Sequence, residues 1–115
     1  MKIVVCGSRD WTDSEKVLNR LARLTSMHTV IITGGARGAD TVAHEAAKKL
    51  AMETLVIPAD WARMGKSAGP VRNRAMLDQN PDLVIAFHHE LSKSKGTIDC
   101  ILEANRRGIT VEVIP

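Results

Sequence analysis

The sequence predicts an α/β fold, a three-layer Rossmann-like arrangement in which a parallel five-stranded sheet carries helices on both faces. Three observations predict it. Five short runs are rich in β-branched and other apolar residues, as buried strands are. Four segments between these runs repeat apolar residues at helical spacing. Glycine and polar residues concentrate in the connections that follow the strands, which is where ligands bind in open α/β sheets.

The strands are indicated by β-branched runs that stop at turn residues. The first run ends at Gly7, and the third is stopped by Pro58. Strands are predicted at 3–6, 28–32, 54–57, 82–87 and 109–113. With 115 residues the chain is long enough for one domain, which we expect to span 1–115.

The helices are indicated by apolar periodicity and by end signals. Thr12 and Glu15 form a capping-box pattern with Thr12 as the cap. Pro70 suits the first turn of the third helix, and Gly108 ends the fourth. Residues 59–69 are predicted as a long connection. The periodic segments lie at 17–24, 42–50, 70–76 and 98–105.

Composition excludes several classes of protein. The net charge of +3 is a mild excess, below what dedicated nucleic-acid binders usually concentrate on one face. Cys6 and Cys100 lie in apolar contexts far from each other in sequence, which predicts two reduced, buried thiols and no disulfide scaffold. The apolar run at the N-terminus is too short for a signal peptide or a membrane span. We therefore expect a cytoplasmic protein with no membrane partner.

Two common phosphate-binding motifs are absent. Gly65-Lys66-Ser67 imitates the end of a P-loop, but Asp60 stands where the P-loop requires its first glycine. The pattern GxGxxG does not occur after the first strand. The sequence thus supports neither a P-loop NTPase nor a standard nicotinamide dehydrogenase, and no cofactor is predicted.

Two other glycine loops are candidate phosphate sites. The run from Gly34 to Gly38 joins a strand to a helix and contains Gly35 and Arg37. Gly96 and Thr97 stand in a similar place after the fourth strand. A helix N-terminus behind such a loop offers unpaired N–H groups and the positive end of its dipole to an anion. The alternative for either loop is a tight turn that binds no ligand.

Charged and aromatic residues in the same connections are further candidates. A basic cluster is predicted from Arg63, Lys66, Arg72 and Arg74, with a solvated helix face as the alternative. Asp40 and Asp99 start helices and are either ribose acceptors or acids favoured by the dipole. Trp11 and Trp61 are either base-stacking platforms or core residues. His88 and His89 are adjacent in a loop, where their side chains usually diverge, so no metal site is predicted.

At this point the residues resemble a known family, the YspA-like family of the SLOG superfamily. The similarity extends in order over nearly the whole chain. The segments that carry it are 6–11, 34–40, 58–61, 65–66, 69–77 and 95–99. The superfamily includes the LOG phosphoribohydrolases and DprA-type proteins that bind single-stranded DNA, so the resemblance implies a Rossmann-like SLOG fold and nucleotide-related ligands. It also makes a homo-oligomer plausible.

The resemblance implies the following ligand-binding and phosphate-binding residues, assigned by motif. They are Gly7, Ser8, Arg9, Gly34, Gly35, Arg37, Gly38, Asp40, Arg72, Asn73, Gly96 and Thr97. The sequence departs from LOG enzymes in two places. A longer loop from His88 replaces their Pro-Gly-Gly, and Cys100 stands where they have a catalytic Glu, with Asp99 the remaining nearby acid.

Three functions follow as hypotheses. The first is binding of a nucleotide or nucleotide-derived small molecule, with its phosphate on the two glycine loops and Arg37 and Arg72 as counter-charges. The second is hydrolysis of the N-glycosidic bond of a nucleoside 5′-monophosphate, in which Asp99 would stabilise the oxocarbenium-like transition state and Arg72 would hold the phosphate. The third is DprA-like binding of single-stranded DNA, for which the charge is modest.

Overall fold

The computed structural model describes residues 1–24, 28–90 and 94–115. Five parallel strands form one sheet with helices packed against it, which confirms the predicted fold class. The strands are β1 (Lys2–Gly7), β2 (Val30–Thr33), β3 (Glu53–Val56), β4 (Leu83–Phe87) and β5 (Val111–Ile114). The helices are α1 (Ser14–Ala22), α2 (Ala39–Lys49), α3 (Trp61–Met64), α4 (Ala68–Leu77) and α5 (Lys95–Arg106).

The order of strands across the sheet is β3-β2-β1-β4-β5. The chain moves outward from β1 to β3 and then crosses back to β4 on the other side of β1. Because crossovers between parallel strands are right-handed, this reversal sends α1 and α2 to one face and α4 and α5 to the other, and each pair of helices is in contact. The connections that follow β1 and β4 therefore leave two neighbouring strands toward opposite faces and open a crevice between them.

The core has one layer on each face of the sheet, and β1 contributes to both. Ile3 and Val5 point to the layer under α1 and α2, whereas Val4 and Cys6 point to the layer under α4 and α5. All four are buried, as expected for a central strand of a parallel sheet.

Cys6 and Cys100 are free and buried in the same layer, as the sequence predicted. Hydrogen bonding with the Cys100 thiol and burial raise the pKa of Cys6 well above its ordinary value. Cys6 is therefore a protonated thiol at neutral pH, a poor nucleophile.

The start of α1 differs from the predicted capping box. The cap is Asp13, whose Oδ1 accepts a hydrogen bond from the Lys16 backbone N–H at 3.0 Å, and not Thr12. Asp and Thr are both good caps, so the pattern allowed either. The indole N–H of Trp11 donates to the Asp13 carbonyl at 3.0 Å. This bond holds Asp13, one residue after the predicted cap Thr12, at the start of the helix.

The predicted connection at 59–69 contains regular structure. It holds α3, a turn of 3₁₀ helix at Gly65–Ser67 and the first residues of α4. Asp60 caps α3 by accepting from the Arg63 backbone N–H at 3.3 Å, and Gly65, at a φ of +56°, follows its last residue. Four residues are too few for apolar periodicity to reveal a helix.

The last helix begins earlier than predicted, at Lys95, so Gly96 and Thr97 belong to its first turn instead of a loop. The predicted polar loop at 88–95 includes residues 91–93, which lie outside the described residues. Within the described ranges, no helix has the length and apolar character needed to cross a bilayer.

Candidate functional site

A cavity of about 650 Å³ opens at the crevice between the carboxyl ends of β1 and β4. Its walls come from the end of β1, from the loops that follow β1, β2 and β4, and from helices α2, α4 and α5. The lining residues are 6–10, 36–37, 88–90 and 94–97 together with Asp40, Arg72, Asn73 and Met76. This is the position where open α/β sheets bind ligands.

Arg72 and Asn73 of α4 connect the two sides of the cavity. Arg72 donates from Nη1 to the Gly34 carbonyl at 3.0 Å and from Nε to Asn73 Oδ1 at 3.1 Å. Asn73 Nδ2 in turn donates to the Gly96 carbonyl at 3.1 Å and to Asp99 Oδ2 at 2.9 Å. A Cβ at Gly34 would overlap the Arg72 guanidinium, so a glycine there allows this close approach. The network holds Arg72 in a defined orientation on the cavity wall.

Asp40 organises the first glycine loop. Its Oδ2 accepts hydrogen bonds from the backbone N–H groups of Gly34 at 3.0 Å and Ala36 at 3.2 Å. Burial raises the pKa of the Asp40 carboxyl, while the Ala36 N–H, the Arg72 charge and the Gly34 N–H oppose the rise. Two of the N–H groups predicted to cradle a phosphate are therefore occupied by the protein's own carboxylate.

The remaining glycines of this loop also serve the fold. Gly38 has a φ of +79°, and a Cβ there would overlap the Ser8 carbonyl of the loop after β1. The neighbouring Ala39 N–H donates to that same carbonyl at 2.9 Å. Gly34, Gly35 and Gly38 are not among the residues that line the cavity, whereas Arg37 is. The first loop thus contributes Ala36, Arg37 and Asp40 to the cavity wall, and its glycines hold the shape behind it.

The first turn of α5 differs from the loop before α2, because no carboxylate of the described residues occupies its backbone N–H groups. Ser94 caps the helix: its Oγ accepts from the Thr97 backbone N–H at 3.4 Å, and its hydroxyl donates to Thr97 Oγ1 at 2.9 Å. No described residue accepts a hydrogen bond from the backbone N–H of Lys95 or Gly96, as expected at a helix start. A Cβ at Gly96 would meet no atom within 4 Å, so the helix backbone is open to the cavity here.

His88 lines the same cavity as this helix start, and its role was not predicted. The side chain is 7% exposed and lines the cavity. His88 Nδ1 accepts from the Glu90 backbone N–H at 3.0 Å, so in the neutral ring Nε2 carries the proton. Burial lowers the pKa of His88, and the neighbouring His89 lowers it further. The ring is therefore neutral at pH 7 and has an N–H donor for which no described residue supplies an acceptor.

The predicted basic cluster is wrong as a single group. Of its four members, the cavity wall includes only Arg72. Arg74 is exposed, because two residues along a helix turn the side chain about 200° away from Arg72. Arg63 is exposed on α3, and Lys66 is exposed on the turn that follows. Arg63 Nε lies 3.9 Å from Asp60 Oδ2.

Among the described residues, four cations line the cavity instead: Arg9, Arg37, Arg72 and Lys95. None of them forms an ion pair with a carboxylate of the described residues. The carboxylates on the wall are Asp10, Asp40 and Glu90. Sequence reasoning missed Lys95, although its place in the first turn after a Ser cap could have identified it.

The structure separates the two tryptophans. Trp11 is 1% exposed; its ring stacks on His89 at 4.5 Å and packs against Phe87 at 5.5 Å. Both faces are covered, so Trp11 is a core residue and the base-stacking prediction is wrong for it. Trp61 is 49% exposed at the start of α3, with the Arg9 guanidinium carbon 5.8 Å from its ring centroid.

Asp99 does not line the cavity. It is half-buried in α5, where its carboxylate accepts from Asn73, behind the helix start. Gly7, Ser8 and Arg9 do line the cavity, as do Asn73, Gly96 and Thr97. Among the described residues no three His, Cys, Asp or Glu side chains are grouped as metal ligands would be.

Solved structures share this fold at low sequence identity. DNA processing protein A (DprA) from Streptococcus pneumoniae matches with a TM-score of 0.79 and 22% identity, over 99% of this chain and 50% of that one. The chain thus spans about half the length of DprA. The protein TM1055 matches with a TM-score of 0.70 and 20% identity, over 96% of this chain and 71% of that one. Both confirm the Rossmann-like architecture.

Sequence comparison identifies the family. Gene 61 protein of Mycobacterium phage D29 is 37% identical over 118 residues, which cover 96% of this chain and 93% of that protein. The model of the family described as YspA, cpYpsA-related SLOG family (YAcAr) matches residues 1–64, more than half of the chain. The chain therefore belongs to the YspA, cpYpsA-related SLOG family, as the motifs indicated.

Proposed function

We propose that the protein binds a nucleotide or nucleotide-derived ligand, with a phosphate of the ligand at the first turn of α5. The observation that carries this proposal is the set of four cations, Arg9, Arg37, Arg72 and Lys95, that line one cavity without an ion pair among the described residues. Unpaired cations around a concave site favour a multiply charged anion, and arginine suits phosphate oxygens in particular.

The start of α5 is the part of the cavity best suited to the phosphate. It has open N–H groups at Lys95 and Gly96, the positive end of a twelve-residue helix, and no side chain over Gly96. His88, buried and neutral, adds an N–H donor to the lining of the same cavity. In the loop before α2, by contrast, Asp40 occupies two of the N–H groups. We therefore place the phosphate at the start of α5 and expect Arg72, which lines the same cavity, to contact it from α4.

Hydrolysis of an N-glycosidic bond has less support. The predicted acid, Asp99, lies behind the cavity wall and is engaged by Asn73. Asp40, which does line the cavity, accepts two backbone hydrogen bonds with its Oδ2. An acid that stabilises an oxocarbenium-like centre must reach the sugar, so binding without turnover is the function we favour.

The test compares two arginines on one helix. Arg72→Ala and Arg74→Ala remove the same charge from α4, but only Arg72 lines the cavity. We expect Arg72→Ala to weaken the binding of nucleoside monophosphates about 10- to 100-fold, because it removes a charged hydrogen bond. Arg74→Ala and the binding of unphosphorylated nucleosides should change little. Calorimetry across a panel of monophosphates measures both.

Two results would contradict the proposal. An equal loss in the two variants would mean that binding follows overall charge instead of this cavity. An equal loss for nucleoside and monophosphate in Arg72→Ala would mean that Arg72 does not contact the phosphate. Chromatography of the same mixtures for free base separates a binder from a hydrolase.

A further inference from the structure

An exposed tryptophan stands next to the phosphate cavity. Trp61 is 49% exposed, and the guanidinium carbon of Arg9 lies 5.8 Å from the centroid of its ring. Arg9 also lines the cavity. Arg9 therefore connects the cavity wall to an exposed aromatic ring.

The surroundings of Trp61 hold the indole in place and add positive charge. Its ring edge rests against the N-terminal turn of α4, where a Cβ at Gly69 would lie 3.2 Å from Trp61 Cη2. Arg63 and Lys66 are exposed on the same helix and on the turn after it, two and five residues along the chain from Trp61. An exposed aromatic ring with a cation over it is an arrangement that binds bases of single-stranded nucleic acid.

We propose that Trp61 is a stacking platform for a second nucleobase, so that the ligand extends at least one nucleotide beyond the phosphate at α5. The inference rests on the proposed function. The base stacks on the indole, and Arg9 contributes both a cation over the rings and a charge for the connecting phosphate. Because every base has a π-face, this subsite tolerates any base. The ligand class is a dinucleotide or a single strand, not a mononucleotide alone.

The experiment measures affinity against ligand length. The probes are 5′-phosphorylated thymidylates of one, two and four nucleotides and one pyrophosphate-linked dinucleotide, NAD. We expect the second nucleotide to tighten binding about 5- to 100-fold. Trp61→Ala should remove that gain and leave the affinity for the mononucleotide unchanged, and Trp61→Phe should retain most of the gain. A further gain with four nucleotides identifies a single strand, and preference for the pyrophosphate-linked probe identifies a dinucleotide.

Met64→Ala is the matched control. Met64 is also on α3, is 42% exposed and is apolar, but it has no ring to stack. It should behave as the unmodified protein. If Met64→Ala loses as much as Trp61→Ala, or if light scattering shows that Trp61→Ala dissociates an oligomer, the surface is an apolar contact between proteins and the inference is overturned.

The outcomes also separate this inference from the proposed function. A protein that binds the mononucleotide but gains nothing from a second nucleotide overturns the stacking subsite and leaves the phosphate site standing. A protein that binds none of the probes overturns both. A gain that survives in Trp61→Ala assigns the second base to another surface.

Discussion

Replacing Gly96 by alanine should make the protein more stable and a poorer binder. Gly96 lies in the first turn of α5 without a positive φ, and a Cβ there meets no atom within 4 Å. The substitution therefore requires no movement of the protein. Alanine is favoured over glycine in a helix by roughly 0.5–1 kcal/mol. Taking the low end for a first turn, we expect the free energy of unfolding to rise by about 0.5 kcal/mol and Tm by about 2 °C.

The binding effect has the opposite sign because Gly96 lines the cavity. The added methyl group occupies the space beside the open N–H groups where the phosphate is assigned. Loss of one charged hydrogen bond corresponds to roughly 1.5–3 kcal/mol, so we expect affinity for a nucleoside monophosphate to fall by at least about tenfold. Calorimetry measures the affinity and urea unfolding measures the stability of the same sample.

The stability and the affinity of Gly96→Ala test two different parts of the reasoning. A destabilised Gly96→Ala variant would show that the local geometry at the start of α5 is not as described. A stabilised variant with unchanged affinity would refute the position of the phosphate. The affinity for an unphosphorylated nucleoside serves as the control, since a general distortion of the cavity would weaken that as well.

Two further predictions concern buried polar groups of the site. Asp40→Ala should lower the free energy of unfolding by about 2 kcal/mol, because it leaves the Gly34 and Ala36 N–H groups without their acceptor, while Asp40→Asn keeps an acceptor oxygen and should lose clearly less. Equal urea midpoints for the two variants would contradict this. The pKa of His88 is lower in the folded protein than in the unfolded chain, so the unfolded chain is protonated first as the pH falls. The stability that neutral His88 contributes is therefore present above pH 6.5 and is lost as the pH falls through the lowered pKa. His88→Gln cannot titrate and should show a flatter decline of urea midpoint between pH 7.5 and 5; an unchanged slope would exclude His88 as its source.

The fold could be predicted because the β-branched runs, the helical periodicity and the turn residues all indicate the same alternation of strands and helices. Runs such as Ile3-Val4-Val5-Cys6 are apolar on both faces, which only a central parallel strand requires, and the structure buries both faces. The failures lie where a signal is short or ambiguous. Thr12 and Asp13 are equally good caps by type, and the Trp11 indole that donates to the Asp13 carbonyl is oriented by tertiary packing against Phe87, which the local sequence does not reveal.

The site was predictable in its location and less so in its roles. Position after a parallel strand identified Arg37 and Gly96 as lining candidates, and the resemblance to the family identified Asn73. Asp40 was expected to face the ligand, but its partners are the loop's own N–H groups, which no spacing rule reveals. Nearness in sequence grouped Arg72 with Arg74, whereas helix geometry separates them.

The bonds made by Arg72 and Asn73 have a consequence for the dynamics of the molecule. They join α4 to segments 38 residues earlier and 26 residues later in the chain. If α4 opens away from the sheet, the cavity loses one wall and its central arginine in the same event. Occupancy of the cavity and attachment of α4 are therefore linked equilibria, and a bound anion suppresses the opening of this helix by mass action. A ligand bound as proposed would therefore stabilise the crossover from β3 to β4 as well as occupy the cavity.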